Sequence, residues 1–349
     1  KSNPMYMTGG NLYVNGSELA TEFNAKDSSS TYVGSNVFAG CLSLAKVDLT
    51  GVTEIGSYAF SKSGVSGEVV IPETIKRFGT YAFGECTSLD KLIWQSSIGV
   101  AMGAFNYDTN LREIVISGNS TTVSNWAFKG CSNLVKVTLP DTVTYLSQQS
   151  FQNCSALKEI NIPEGVTGIG NYAFGGCTSL EQIIMPDTVN SLGIGVFAYC
   201  TGLKDIHLSS GLTDLGNSCF SKCVSLETVE LPATLTSISS GAFNECSSLK
   251  TIKIPASVTE IKSRALYKCK LLSSIYFMEE ECPAMATDVF DYDYIKTAAA
   301  LVYIPENATA YTENELILKI ASHLYSTKVI AVANCIEPGK EQYTCLLHD

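Results

Sequence analysis

Eleven of the 14 phenylalanines in this 349-residue chain fall in one register. Phe38, Phe60, Phe83, Phe105, Phe128, Phe151, Phe174, Phe197, Phe220 and Phe243 follow one another at steps of 22 or 23 residues, Leu266 holds the next place, and Phe290 comes 24 residues after it. A fixed period of about 23 residues means stacked supersecondary units, because one such unit cannot bury an apolar face alone. Other columns keep the same phase. Cysteine stands three residues after the phenylalanine (Cys41, Cys86, Cys131, Cys154, Cys177, Cys200, Cys223, Cys246, Cys269), and leucine six after it, as at Leu134, Leu157 and Leu180. Paired aliphatics follow, such as Ile160/Ile162 and Val229/Leu231, often with proline directly behind them (Pro163, Pro232).

Each spacing predicts local structure. Ile160-Asn161-Ile162 alternates apolar and polar, the mark of a short half-buried strand, and Pro163, lacking an N–H, ends its ladder. Phe, Cys and Leu at i, i+3 and i+6 suit a short helical turn. Small residues ahead of the phenylalanine (Ala59, Ala82, Ala127) let neighbouring coils approach closely, and Gly56, Gly79, Gly170, Gly193 and Gly216 form a small-residue column of the repeat. The expected fold is an α/β solenoid: a right-handed coil with a parallel sheet on its concave side and short helical turns on the other.

The outward face of the strands carries two columns. One reads Lys46, Glu68, Lys91, Glu113, Lys136, Glu159 and then Gln182, Asp205, Thr228. With parallel strands about 4.8 Å apart, each charge in the alternating run stands beside opposite ones, an arrangement that fixes register. The other column contains the aliphatic stripe Val70, Ile93 and Val115, then Ile184 and His207, and ends on Tyr276 and Tyr303. Val70, Ile93 and Val115 with flanking Lys91 and Glu113, and separately Tyr276 with Tyr303, are the candidate ligand-binding residues, since solenoids bind through such faces.

The stretch LKEINIPEGVTGIGNYAFGGC (Leu157–Cys177) resembles the leucine-rich repeat of the BspA-like family of bacterial surface proteins, and the resemblance runs from about Asn36 to Phe277. CPAMATDVF and LVYIPENATAY are similar to the closing unit of such arrays, and NLYVNGSEL to a strand–turn–strand that precedes them. The general leucine-rich asparagine is replaced here by Thr142, Gly165, Thr188, Gly211, Thr234 and Ser257, so hydroxyls would have to stand in for an asparagine ladder. The organisation read from these features is one continuous solenoid: residues 1–35 an N-terminal cap with a hairpin at Asn15-Gly16, 36–278 an array of about eleven coils, and 279–349 the closing repeat and C-terminal cap, with a helix started by the capping box Thr312–Glu315. What the resemblance implies is a monomeric, extracellular or cell-surface adhesion module for a protein ligand such as a host surface protein, or else for a glycan. A passive spacer or stalk is the alternative reading, and an enzyme the third.

Composition excludes several classes. Net charge is −11, with 23 Lys+Arg against 34 Asp+Glu and no basic run, which is unsuited to nucleic acid. No stretch approaches the ~20 apolar residues of a membrane span. The cysteine column shares the phase of core Phe and Leu, which predicts buried thiols behaving as small hydrophobes. Cys219 and Cys223 lack the companions a zinc site needs. Whether Cys335 and Cys345, outside the repeat, form a disulfide is left open. The three histidines, His207, His323 and His348, are scattered, so neither a catalytic set, a metal site nor a cofactor is expected.

Overall fold

The computed structural model describes residues 5–8, 11–14, 18–19, 21–28, 31–279, 281–291, 301–304, 330–333 and 343–345. The Asn15-Gly16 turn, the capping-box helix, His323, His348 and Cys335 lie outside them. The chain divides into two compact units, Lys1–Leu180 and Glu181–Asp349.

In the first unit, Met5–Thr8, Asn11–Val14 and Glu18–Leu19 form an antiparallel sheet. Beyond them every strand pair of this unit is parallel. The Ser66–Ile71, Ser88–Trp94, Glu113–Ile116, Lys136–Thr138 and Glu159–Ile160 strands make a five-stranded sheet in sequence order. Glu22–Asn24 pairs with Lys46–Asp48 beside it. Two-residue strands on a second side of each coil stack likewise, for example Thr122–Val123 on Tyr145–Leu146 on Gly168–Ile169. In the second unit, Gln182–Ile184 pairs with Asp205–His207, and Thr228–Val229 begins a separate sheet through Thr251–Ile254, Ser274–Phe277, Leu301–Ile304 and Ile330–Ala333, closed by antiparallel Tyr343–Cys345.

The core is a stack of rings. Phe105, Phe128, Phe151 and Phe174 lie 5.5 to 5.7 Å apart within 15° of parallel, and Phe197, Phe220 and Phe243 repeat the stack in the second unit. All are fully buried. The glycine column has a steric reason: a Cβ at Gly79 would come within 2.2 Å of the Ser57 nitrogen in the preceding coil. At four coils a hydroxyl stands in for the missing asparagine. Thr74 Oγ1 donates to the Val52 carbonyl at 2.7 Å, and Thr142, Thr234 and Ser257 do the same to Ser120, Leu212 and Leu235.

The helical turns are not there. Among the described residues the one helix is Ala25–Ser28, outside the repeat. The segment around each phenylalanine is instead a run of turns with positive φ two residues before and two residues after the ring. Sixteen non-glycine residues, all in these two columns, hold φ between 53° and 63°, including Tyr58, Lys62, Tyr81, Glu85, Trp126 and Lys222. Left-handed residues at this spacing break a right-handed helix, and each costs about 1–2 kcal/mol. What offsets the cost is a ladder between coils. Tyr58, Phe60 and Lys62 donate their N–H groups to the Thr80, Ala82 and Gly84 carbonyls of the next coil at 2.7 to 3.0 Å, while Ser61 and Ser63 bond back within the turn. The backbone that a helix would satisfy internally is satisfied by the neighbour.

The cysteines are part of that frame. None of the eleven cysteines from Cys41 to Cys282 is in a disulfide, and those of the column are buried. Their thiols donate to the phenylalanine carbonyl of the preceding coil: Cys131 Sγ to Phe105 O, Cys154 Sγ to Phe128 O and Cys246 Sγ to Phe220 O, at 3.1 to 3.2 Å. Burial pushes the Cys154, Cys223 and Cys246 thiols well above the ordinary cysteine range, and Cys269 up to about 12. The thiolate is the reactive form, so these residues are expected to stay silent toward a soluble disulfide reagent in the native protein and to react together on denaturation. Rapid native-state labelling of Cys154 or Cys246 would contradict that burial.

Candidate functional site

The strand face of the first unit is built by the register described above. Lys91 stands level with Glu68 on one side and Glu113 on the other, and its Nζ lies 3.2 Å from Glu113 and 3.7 Å from Glu68. Its ammonium is held above the usual lysine value, first by the hydrogen bond to Glu113 and then by that carboxylate's charge. Lys136 pairs with Glu159 at 3.9 Å, and Glu22, a residue the sequence reading did not place, extends the alternation to Lys46 at 3.3 Å. These groups are exposed, so each pair contributes little to stability, and what the row supplies is register.

Val70, Ile93 and Val115 are brought together as predicted, with Ile93 level with both valines. They are half-buried rather than open. Branched side chains on strands about 4.8 Å apart cover one another's flanks, and the charged row runs alongside. Tyr276 and Tyr303 also meet, their rings stacked at 4.2 Å and 5°. Here the expectation of two open rings is corrected. Tyr303 is only 7% exposed, because the Ile330–Ala333 strand adds a further rung beyond it, with Ala331 at its level. Tyr276 alone remains half-exposed.

A feature not singled out from the sequence lies in the second unit. A groove of about 720 Å3 crosses the strand face there, lined by Ile184, Asp187, Asp205, His207 and Glu230 with Leu231 at its floor. Ile184 is 63% exposed, far more than the stripe of the first unit. The signal was present: alternation of charge stops at Gln182, and from there the column reads Gln182, Asp205, Thr228. Among the described residues no group of three or more His, Cys, Asp and Glu is disposed to hold a metal ion, and no helix is long and apolar enough to cross a membrane.

Comparison with known proteins agrees with this geometry. A family model described as BspA type Leucine rich repeat region (6 copies) matches residues 15–101, 98–225, 167–296 and 213–336. A search of curated proteins gave no match. Among solved structures, a leucine-rich repeat protein from Bacteroides ovatus is similar at 27% identity and a TM-score of 0.71, over 80% of this chain and 72% of that one. A leucine rich cell surface protein from Faecalibacterium prausnitzii matches at 26% identity, TM-score 0.41, over 80% and 96%, and a T. pallidum leucine rich repeat protein at 27%, TM-score 0.41, over 56% and 82%.

Proposed function

The chain belongs to the BspA-type leucine-rich repeat family, and from that premise we propose that it is a non-enzymatic binding module of a bacterial cell surface, engaging a protein ligand through its strand face. The observation that carries the reading is the stripe Val70, Ile93 and Val115, in register across three parallel strands and flanked by the ion-paired Lys91 and Glu113. An apolar strip beside fixed charges has the anatomy of an interface: contact area that sheds water, with a polar margin that sets orientation. Tyr276 supplies a second anchor, with apolar area and a hydroxyl. Leucine-rich solenoids of this family are typically non-enzymatic, which supports binding over catalysis. A glycan is the second ligand class. The passive-spacer reading draws on the ion-paired row, which stiffens the stack without any ligand.

The test is a screen of the purified protein against immobilised extracellular-matrix and host-surface proteins, with a glycan array beside it. For a protein ligand so found, Ile93→Asp is expected to weaken affinity about tenfold or more with the melting temperature nearly unchanged, since the side chain is half-exposed. Tyr276→Ala is expected to weaken it less. Unchanged affinity in both variants moves the site off these residues, and an empty screen favours the spacer.

A further inference from the structure

In the second unit the parallel ladder is interrupted: Gln182–Ile184 and Asp205–His207 form a two-stranded sheet, and Thr228–Val229 starts a new one. Met185 donates its N–H to the His207 carbonyl at 3.0 Å. Amide groups of successive strand residues turn to opposite edges, so those of Ile206 and Leu208 face Thr228–Val229, with no ladder to receive them. The core shows through at the same place. Ile206, Leu208 and Val229 are 5 to 6% exposed, where the corresponding Ile252 is sealed at 0%, and Leu231 is half-exposed, where its counterpart Ile254 is buried. At this coil Ser209 stands where Pro186 and Pro232 stand in the adjacent ones, its Oγ accepting the Gly211 N–H at 3.1 Å.

Over this apolar floor the charges are of one sign. The lining holds Asp187, Asp205 and Glu230, one histidine, and neither lysine nor arginine. Asp187 is fixed by the Ser210 N–H at 2.9 Å, which holds its carboxyl below the usual range, and Asp205 accepts from Gln182 Nε2 at 3.1 Å. In the first unit the carboxylates of the strand face are matched by Lys46, Lys91 and Lys136. Here none of the three is ion-paired, among the described residues. Lys253 stands at the level of Glu230 in the next coil but does not line the groove, whose own charged lining is three carboxylates that a cationic ligand would meet.

We propose that this groove binds an extended polypeptide segment carrying lysine or arginine on either side of an aliphatic side chain, the cations meeting Asp187, Asp205 and Glu230 and the aliphatic group packing on Ile184 and half-exposed Leu231. The site is distinct from the stripe of the first unit and stands whether or not that stripe binds anything.

The test uses the full chain and fluorescence anisotropy of a labelled peptide of alternating lysine and valine, with a lysine–serine and a glutamate–valine analogue beside it. The lysine–valine peptide is expected to bind saturably, more weakly as salt is raised, and the glutamate analogue not to bind. The double variant Asp205→Lys, Glu230→Lys should weaken binding about tenfold or more, and the milder Asp205→Asn, Glu230→Gln by a smaller factor with an unaltered circular dichroism spectrum. A control double variant, Glu73→Lys, Asp141→Lys, makes the same change in net charge at residues outside the groove and should alter affinity less than about twofold. Ile184→Ser should weaken the lysine–valine peptide and leave the lysine–serine peptide as it was. Equal weakening by both lysine double variants would mean diffuse attraction to an acidic protein and overturns the site. So does saturable binding of the glutamate peptide, or no binding of the lysine–valine peptide.

Discussion

Replacing Phe151 by alanine is expected to lower the unfolding free energy by about 3–5 kcal/mol. The ring is fully buried, with Phe128 at 5.5 Å on one side and Phe174 at 5.6 Å on the other, so truncation removes contacts from three coils at once. Offset parallel rings add about 0.5–1.5 kcal/mol beyond burial. Little collapse can fill the gap, because the coil spacing is held by backbone bonds: Phe151 N–H to Ala173 O at 2.8 Å and Phe128 N–H to Ser150 O at 2.9 Å. In a stack whose stability is a sum of neighbour terms, the weakened coil is also where cooperativity breaks. Chemical denaturation of Phe151→Ala should therefore show a lower midpoint and a broadened or two-step transition, with Phe151→Leu in between. A loss below about 1 kcal/mol would mean that the rings are not the shared core.

The second large effect runs the other way: Asp108→Cys is expected to stabilise the protein at neutral pH by about 2–4 kcal/mol. Asp108 occupies the cysteine column, three residues after Phe105, and is completely buried. One carboxyl oxygen accepts the Cys86 N–H at 2.7 Å; the other, buried, has no partner. Desolvation raises its pKa well above the ordinary 3.8. A group with a raised folded value binds its proton more tightly folded than unfolded, so stability falls as pH rises from near 3.8 toward the folded value and stays reduced above it. The variant's advantage should be nearly absent below about pH 4 and grow through that window. The thiol introduced by Asp108→Cys would stand where that of Cys131 stands in the next coil, which donates to Phe105 O at 3.2 Å. The Cys86 N–H keeps its bond to Phe83 O at 3.2 Å, so little is lost. A pH-independent difference, or destabilisation by the cysteine, would refute the account.

The repeat, the strand positions and the charged row were legible because they are set by side chains recurring at a fixed interval: Phe, Leu and the alternation Lys91–Glu113–Lys136 state the register outright. The turn face was misread for a physical reason. Phe, Cys and Leu at i, i+3 and i+6 fit a helix as well as the observed turns, and the residues that decide between them, Tyr58, Trp126, Lys222 and Glu245, take positive φ without being glycine. Their conformation is imposed by bonds to the next coil, which no local propensity contains. Asp108 was missed because the column was read by its cysteines, and the coil that lacks one holds the exception. The groove escaped notice since it arises where a pattern stops: Gln182, Asp205 and Thr228 end the alternation, and an interrupted ladder leaves no residue type of its own behind. The burial of Tyr303 depends on Ile330–Ala333, a strand with no repeat phase to reveal it.

Because the backbone bonds of the repeat run from one coil to its neighbour, the loops they close span about 23 residues wherever they occur, as from Thr167 to Thr144, Thr236 to Thr213 and Thr259 to Thr236. The entropy of closing a loop grows with the logarithm of its length, so each added coil meets the same closure cost as the one before, however long the chain becomes. Mean contact separation divided by chain length then falls as coils are added, which favours fast ordering for an all-strand protein. Folding of such a stack is expected to begin at whichever neighbouring pair is most stable and to spread outward coil by coil. A slow phase would belong to the place where propagation stalls: the coil with a buried acid, or the one whose ladder is interrupted.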